Sequence, residues 1–485
     1  MIKQIGPEGL DFFTFSAADL HWPELHKLMP SNGNSETSAK NHQQNIIDNP
    51  HIADWFFYKR FEIYFNDVLK EKWELEDWWY RFEWQHRGSV HVHGIGKRRG
   101  APSIEWKHMK EDESVMNEIV QYLDNLVTTI NPGLDMPVPE RHSCQKQKSE
   151  IRDDQQDYID LINKLQRHTR CSPGYCLRID KEGKQFCRFK YPKEIVEKTF
   201  VRDDGHRQPE LVTARNDPYI NLHSRLQLQG WRANVDLKPI LSIHAALQYI
   251  SKYASKAEPR SAAFSDILNQ ILNESQPEDP LLTSVQKLLL HSVAELDISA
   301  QETCHILLGT LLYHSSRQFV VLNLNNEIPR WICGTGESEK SPDSGRTEKS
   351  PLVAYWDRPT ELEEFSLFQL YLTHRLVKNR WKECQKENIV RIFPHPSPLR
   401  EGPQWEDFCR IKVLLHVRHR DLQQLTENET IAWSTLYNNH LEEINTDPID
   451  LQSTPSIVTP VIVTFYYIVT PVECSKHFII KNYPI

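Results

Sequence analysis

The segment DWWYRFEWQHRGSVHVHGI, residues 77–95, decides how the chain is read. It has the pattern of a β-hairpin turned around Gly88. His91 and His93 stand two apart, so on a strand both imidazoles lie on one face. A loop of odd length, such as the three residues Arg87, Gly88 and Ser89, sets Gln85 opposite His91 and Glu83 opposite His93. An even loop puts Trp84 opposite His91 instead, so register decides the chemistry. In the odd register two imidazoles meet one or two oxygen ligands, with Gln85 preferred over Glu83. That donor set leaves positions open for a divalent cation and a substrate phosphate, and is too rich in nitrogen and oxygen for a closed structural zinc site. Lys97, Arg98 and Arg99 follow as a short basic run able to reach phosphates.

The rest of the 485-residue chain frames this hairpin. Its length calls for more than one hydrophobic core. A net charge of −9 excludes a global drive toward nucleic acid, so any such site must be a local patch. Nine cysteines without an apolar leader in the first residues point to a reducing compartment, where clustered Cys and His bind metal. The apolar SIVTPVIVTFYYIVTPVE near the end is β-branched and broken by Pro460 and Pro471, a poor membrane span.

Upstream, Phe12–Phe15 reads as a strand, and Asn49-Pro50 opens a helix containing Ile52, Trp55, Phe56 and Leu69. SVMNEIVQYLDNLVTTI reads as a helix, INLHSRLQLQGWRANVDLKPIL has strand character, Ser299 and Glu302 form a capping-box pattern, and QFVVLNL reads as a strand. In LQYISKYASK, residues 247–256, Tyr249 and Tyr253 share a helix face with Lys252 and Lys256 beside them. A phenol with an ordinary pKa near 10 is a weak nucleophile at neutral pH. Neighbouring ammonium groups and a metal-bound phosphate would favour its phenolate.

A second donor set lies in HTRCSPGYCLRIDKEGKQFCRFKYP. His168, Cys171, Cys176 and Cys187 have the spacing H-x2-C-x4-C-x10-C, suited to tetrahedral structural zinc. Arg188, Lys190 and Tyr191 beside it are candidates for DNA contact, the tyrosine by stacking on an unpaired base.

In order, FFTFSAADLHWPEL, EWQHRGSVHVHG and YISKYASK resemble the replication-initiator nuclease domain of Helitron transposases, two-tyrosine HUH endonucleases. DISAQETCHILLG and SSRQFVVLNL resemble the segment that follows the tyrosines in that family, so the likeness spans roughly residues 10–325. It implies an α+β fold with a central antiparallel sheet of about five strands flanked by helices, an inserted cysteine-rich zinc segment and a helical C-terminal extension. His91 and His93 match the metal ligands, Tyr249 and Tyr253 the nucleophiles, and Lys252 and Lys256 the interleaved lysines. Magnesium or manganese, a single-stranded DNA substrate and a 5′-phosphotyrosine intermediate come with the resemblance.

The expected layout is a first nuclease half at 1–131, the cysteine-rich insertion at 132–230 and the tyrosine helix at 231–260. A helical extension at 261–335, a linker at 336–351 and a helical, polar region at 352–485 follow. The family's helicase is not expected in this chain. GTGESEKS places Glu339 where a P-loop needs glycine before Lys340, so unwinding would need a helicase in trans. The expected activity is nicking and strand transfer, in the nucleus and away from membranes. A catalytically silent DNA-binding derivative is the alternative.

Overall fold

The computed structural model describes residues 9–30, 39–84, 89–104, 106–169, 171–173, 176–203, 209–242, 299–325, 330–331, 347–348, 350–400, 402–426 and 431–444. Tyr249, Lys252, Tyr253, Lys256 and Gln85 lie outside them. All described residues belong to one of the two compact units of the chain, residues 1–247 with 298–452.

The strands used below are β1 (Leu10–Ser16), β2 (Leu75–Trp84), β3 (Val90–Arg98), β4 (Leu177–Ile179), β5 (Gln185–Cys187), β6 (Val235–Pro239), β7 (Tyr313–Ser315), β8 (Phe319–Asn323) and β9 (Ile389–Phe393). The helices are α1 (Pro50–Tyr64), α2 (Glu113–Leu126), α3 (Asp154–Leu161), α4 (Arg225–Trp231), α5 (Ala300–Leu307), α6 (Leu367–Thr373) and α7 (Trp405–His416).

A five-stranded antiparallel sheet, in the order β6-β1-β3-β2-β7, carries the hairpin at its centre. The expected α+β class and strand number hold. Alternation sorts the two faces. Phe13 and Phe15 of β1 with Tyr80 and Phe82 of β2 enter one core with Phe57 and Phe61 of α1. Trp231 closes that core, fully buried, edge-on to Phe15, Trp22 and Phe57, its indole N–H donating to Ser16 O at 2.8 Å. The opposite face of the central strands carries Thr14, Ser16, Glu83, His91 and His93. Gly94 sits where β3 passes Phe13 and Tyr80; a Cβ there would lie 2.3 Å from the Phe13 ring, so only glycine fits without displacement.

Three departures from the sequence reading concern how segments pack. The fifth strand, β7, comes from the 261–335 stretch read as helical. Residues 225–231, read with strand character, form α4, which buries Leu228 and Trp231 three apart on one helix face. Within residues 132–230, read as polar, Cys144, Tyr158, Leu161 and Ile162 are buried in the main core.

Beyond β7 a second core gathers Leu322, Tyr355, Leu367, Leu370, Val413 and Leu415. Around it β8 and β9 pair in parallel, so the 352–485 region is not purely helical. This region is tied to the sheet through Asp77. Arg317 donates Nε and one terminal nitrogen to the two Asp77 oxygens, each at 2.8 Å, and Ser316 Oγ adds a third bond at 3.0 Å. Burial alone would raise this carboxyl. Hydrogen bonds from Arg317 and Ser316, then the charges of Arg317 and Lys386, outweigh it and hold Asp77 at about 2. A depressed carboxylate stabilises the fold above its unfolded pKa, and that contribution fades as pH falls toward the folded value. The stability gap between wild type and Asp77→Asn is therefore expected to be constant above about pH 5 and to close between about pH 4 and pH 2. Chemical denaturation across that range measures it, and a gap that widens toward acid would exclude the assignment.

Candidate metal centres and the histidine face

Register on the hairpin differs from the expected one by two residues. Trp84 faces Val90, so five residues separate the paired ends, and Glu83 lies opposite His91 instead of His93. The loop is odd, as expected, so Glu83, His91 and His93 still share a face. Gln85 precedes the turn and lies outside the described residues, so the residue found across from His91 is Glu83.

Strand β1 completes the arrangement. Its register sets Thr14 beside His93 and Ser16 beside His91. Thr14 Oγ1 is 2.9 Å from His93 Nδ1, and Ser16 Oγ is 3.2 Å from His91 Nδ1. With each Nδ1 engaged by a hydroxyl, Nε2 is the nitrogen each ring would present to a cation. That tautomer carries its proton on Nδ1 and donates it to the hydroxyl oxygen. The Glu83 carboxylate stands 3.1 Å from His93 Nε2. Two donors about 2.1 Å from one divalent ion and at right angles are roughly 3 Å apart, so this spacing fits shared coordination. The imidazole planes of His91 and His93 are nearly parallel, 17° apart with centroids 6.2 Å apart. Glu83 and His93 are therefore spaced as two ligands of one divalent ion would be, with His91 on the same face.

Thr14 and Ser16 escaped the sequence reading, although their i, i+2 spacing on β1 mirrors the histidine spacing on β3. Removing a hydrogen-bond partner of a ligating histidine typically weakens metal binding about 10- to 100-fold. Thr14→Val is expected to weaken manganese binding by that factor while Thr14→Ser restores it. Titration followed by manganese electron paramagnetic resonance reads this directly; equal affinity for all three proteins would refute it.

Of the basic run, Arg98 is committed to the protein. It donates to Trp73 O at 3.0 Å and to Tyr122 Oη at 3.2 Å. It also faces Asp11, whose carboxyl burial raises to about 7 against the opposing Arg98 charge. Arg99 is exposed and Lys97 half-buried. Arg81, directly across from His93, places a further cation on the histidine face and was not singled out by sequence.

The Cys/His set is brought together completely. Ligand atoms of His168, Cys171, Cys176 and Cys187 lie within 4.8 Å of one another, and the four could hold a metal such as zinc. His168 Nε2 is 3.2 Å from Cys171 Sγ and 3.6 Å from Cys187 Sγ. Around tetrahedral zinc such separations are about 3.5–3.8 Å. Ser172 N–H donates to Cys176 Sγ at 3.0 Å. Burial opposes ionisation of Cys187, yet backbone N–H bonds from Tyr191 and Phe189 carry its thiol below the ordinary value. Cys171 is pushed up to about 11 by burial and by its two sulfur neighbours. Three thiols this close resist joint ionisation unless a cation compensates them. Strands β4 and β5 hold Cys187 in place, with Leu177 paired to it.

Comparison with known families places the hairpin. Residues 1–95 match the Helitron helicase-like domain at N-terminus. This N-terminal part of the chain is thus similar to the Helitron domain, and the match takes in Thr14, Ser16, Glu83, His91 and His93. The Helitron-like match ends before the Cys/His hairpin and before the tyrosine pair. No curated protein matches the chain. Among the described residues no helix is long and apolar enough to cross a membrane.

Proposed function

We propose that the protein is a metal-dependent nicking and joining enzyme for single-stranded DNA, serving Helitron rolling-circle transposition. The observation that best supports this is Glu83 across from His91 and against His93, with both imidazoles oriented by Thr14 and Ser16, inside the Helitron-like segment. Magnesium or manganese held by these three side chains would polarise the scissile phosphate. The phenolic oxygen of Tyr249 or Tyr253 attacks phosphorus, its proton passes to solvent, and the bond from phosphorus to the 3′ oxygen breaks. The departing 3′ oxygen takes up a proton, leaving a 5′-phosphotyrosine ester and a free 3′ hydroxyl. The ester is close in energy to the diester it replaces, so the step reverses and joins strands without ATP. Two tyrosines allow two such exchanges. Lys252 and Lys256 favour the phenolate, and Arg81 and Arg99 offer cations for neighbouring phosphates. Zinc at the Cys/His cluster has a structural role, a helicase acting in trans would unwind the duplex, and the DNA substrate places the reaction in the nucleus.

Wild-type protein with manganese and labelled single-stranded oligonucleotides is expected to form a covalent adduct that survives denaturing electrophoresis. Binding without any adduct across diverse sequences would replace this reading with that of a silent DNA-binding derivative.

A further inference from the structure

We infer that the β-hairpin of His374–Val377 and Arg380–Glu383 lays its outer side on the phosphate backbone of double-stranded DNA. Lys378 and Asn379 join the strands with positive φ, 48° and 60°, the mark of a tight two-residue turn that fixes one register. Val377 pairs with Arg380, Leu376 with Trp381, Arg375 with Lys382 and His374 with Glu383. Cross-strand partners share a face, so His374, Leu376, Trp381 and Glu383 lie on one side of the hairpin. Arg375, Val377, Arg380 and Lys382 lie on the other. The first side is anchored. Trp381 packs edge-on against Tyr371 of α6, with centroids 5.0 Å apart and planes at 83°, and both belong to the second core. Just beyond the hairpin, Lys386 donates to Glu76 O and to Asp77 Oδ1, where this region joins β2.

The outer side has cations without answering anions. Arg375, Lys378, Arg380 and Lys382 are exposed, and none of the four makes a hydrogen bond or an ion pair with a described residue. Arg375 and Lys382 are directly opposed, a like-charge pairing that costs a sheet stability. The hairpin carries four Lys or Arg against one Glu, in a chain of net charge −9. A polyanion laid on this side would relieve that repulsion. Shape and spacing select which polyanion. Arg380 and Lys382 stand two residues apart on one strand, about 6.8 Å, and two successive phosphates on one strand of a duplex advance by the same distance at about 3.4 Å each. A two-stranded ribbon is also of a width that the major groove of B-DNA admits. No aromatic ring lies on the outer side, so an unpaired base finds nothing there to stack on. An acidic protein segment would answer the charge without the regular repeat. Duplex contact goes beyond the nicking reaction and does not depend on it.

The experiment uses the full chain carrying Tyr249→Phe and Tyr253→Phe, so that no adduct complicates binding and failure of the nicking reading leaves the result interpretable. Anisotropy of a labelled duplex of about 20 base pairs is followed between about 50 and 200 mM salt. Adding Arg375→Gln, Lys378→Gln, Arg380→Gln and Lys382→Gln is expected to weaken duplex binding roughly 10- to 100-fold at about 0.1 M salt. The slope of log affinity against log salt should flatten by about two to four, roughly 0.9 for each phosphate left without its cation. Binding of oligothymidine of equal length should change by less than about threefold. Polyglutamate of matched charge should displace the duplex only at a concentration about tenfold or more above that of competing duplex. Urea denaturation checks the fold. Because Arg375 opposes Lys382, Arg375→Gln alone should leave stability unchanged or raise it while still removing about one from the slope, and it takes the place of the fourfold variant if that one unfolds. Unchanged duplex affinity in a folded variant, equal losses on duplex and single strand, or displacement by polyglutamate as readily as by duplex would each overturn the inference.

Discussion

Replacing Tyr249 and Tyr253 together by phenylalanine is expected to remove covalent adduct by on the order of 10⁴-fold or more, because the proposed reaction loses both of its nucleophiles. Glu83→Ala should produce a comparable loss by a different route, and the two are separable. Manganese affinity is expected to survive the tyrosine substitutions, because the proposed donor set is His91, His93 and Glu83. It falls in Glu83→Ala, where two imidazoles alone must hold the ion. Gln85→Ala is the discriminating control. Register puts Glu83, not Gln85, across from His91, so the Gln85 variant should keep manganese binding within about threefold of wild type and retain adduct formation. A Gln85 variant that loses manganese while Glu83→Ala keeps it would reverse the ligand assignment. Adduct formation by the double phenylalanine variant would move the nucleophile elsewhere.

Much of this face was legible because strand periodicity is strict. His91 and His93 share a face in any strand, and any odd loop keeps Glu83 with them. Exact pairing was not legible. Gly88 marks a turn but does not set its length, and five intervening residues instead of three shift every partner by two positions. Thr14 and Ser16 could have been found by matching two i, i+2 pairs, yet only tertiary pairing makes β1 the neighbour of β3. The Cys/His set was readable because four soft ligands at short spacing make a pattern typical of structural zinc sites.

Packing overrode local pattern elsewhere. In RLQLQGW the leucines at 226 and 228 alternate like a strand, but burial of Leu228 and Trp231 selects a helix. Strand β7 is only three residues long and follows a helix, so it exists through its pairing with β2 and has little propensity of its own. Polar composition between residues 132 and 230 concealed the buried Tyr158, Leu161 and Ile162, which a short helix needs only one stripe to supply.

The link between α5 and α1 leads to the second large effect, a loss of about 3–5 kcal/mol on His305→Leu. His305 is fully buried, and Asp54 is 2% exposed. Nδ1 of His305 lies 3.0 Å and 3.2 Å from the two Asp54 oxygens, and Nε2 lies 3.2 Å from Leu311 O. The two ring nitrogens thus join the Asp54 carboxyl to the backbone carbonyl of Leu311, and every one of these buried polar atoms depends on the ring for its partner. The ring also packs 4.8 Å from Trp84 and 5.1 Å from Phe82 by centroid, at the end of β2 next to Glu83. Leucine fills similar space but strips the buried carboxylate of its donor, which is the costly half of breaking an ion pair. Asp54→Leu with His305→Leu removes both polar partners and should recover most of the loss, because no buried group is left unpaired. Urea denaturation of the three proteins measures this, and a His305→Leu protein within about 1 kcal/mol of wild type would show the pair to be dispensable. The same substitution also bears on the histidine face. If α5 supports the end of β2 through Trp84, loosening it should lower manganese affinity at Glu83 without touching any ligand.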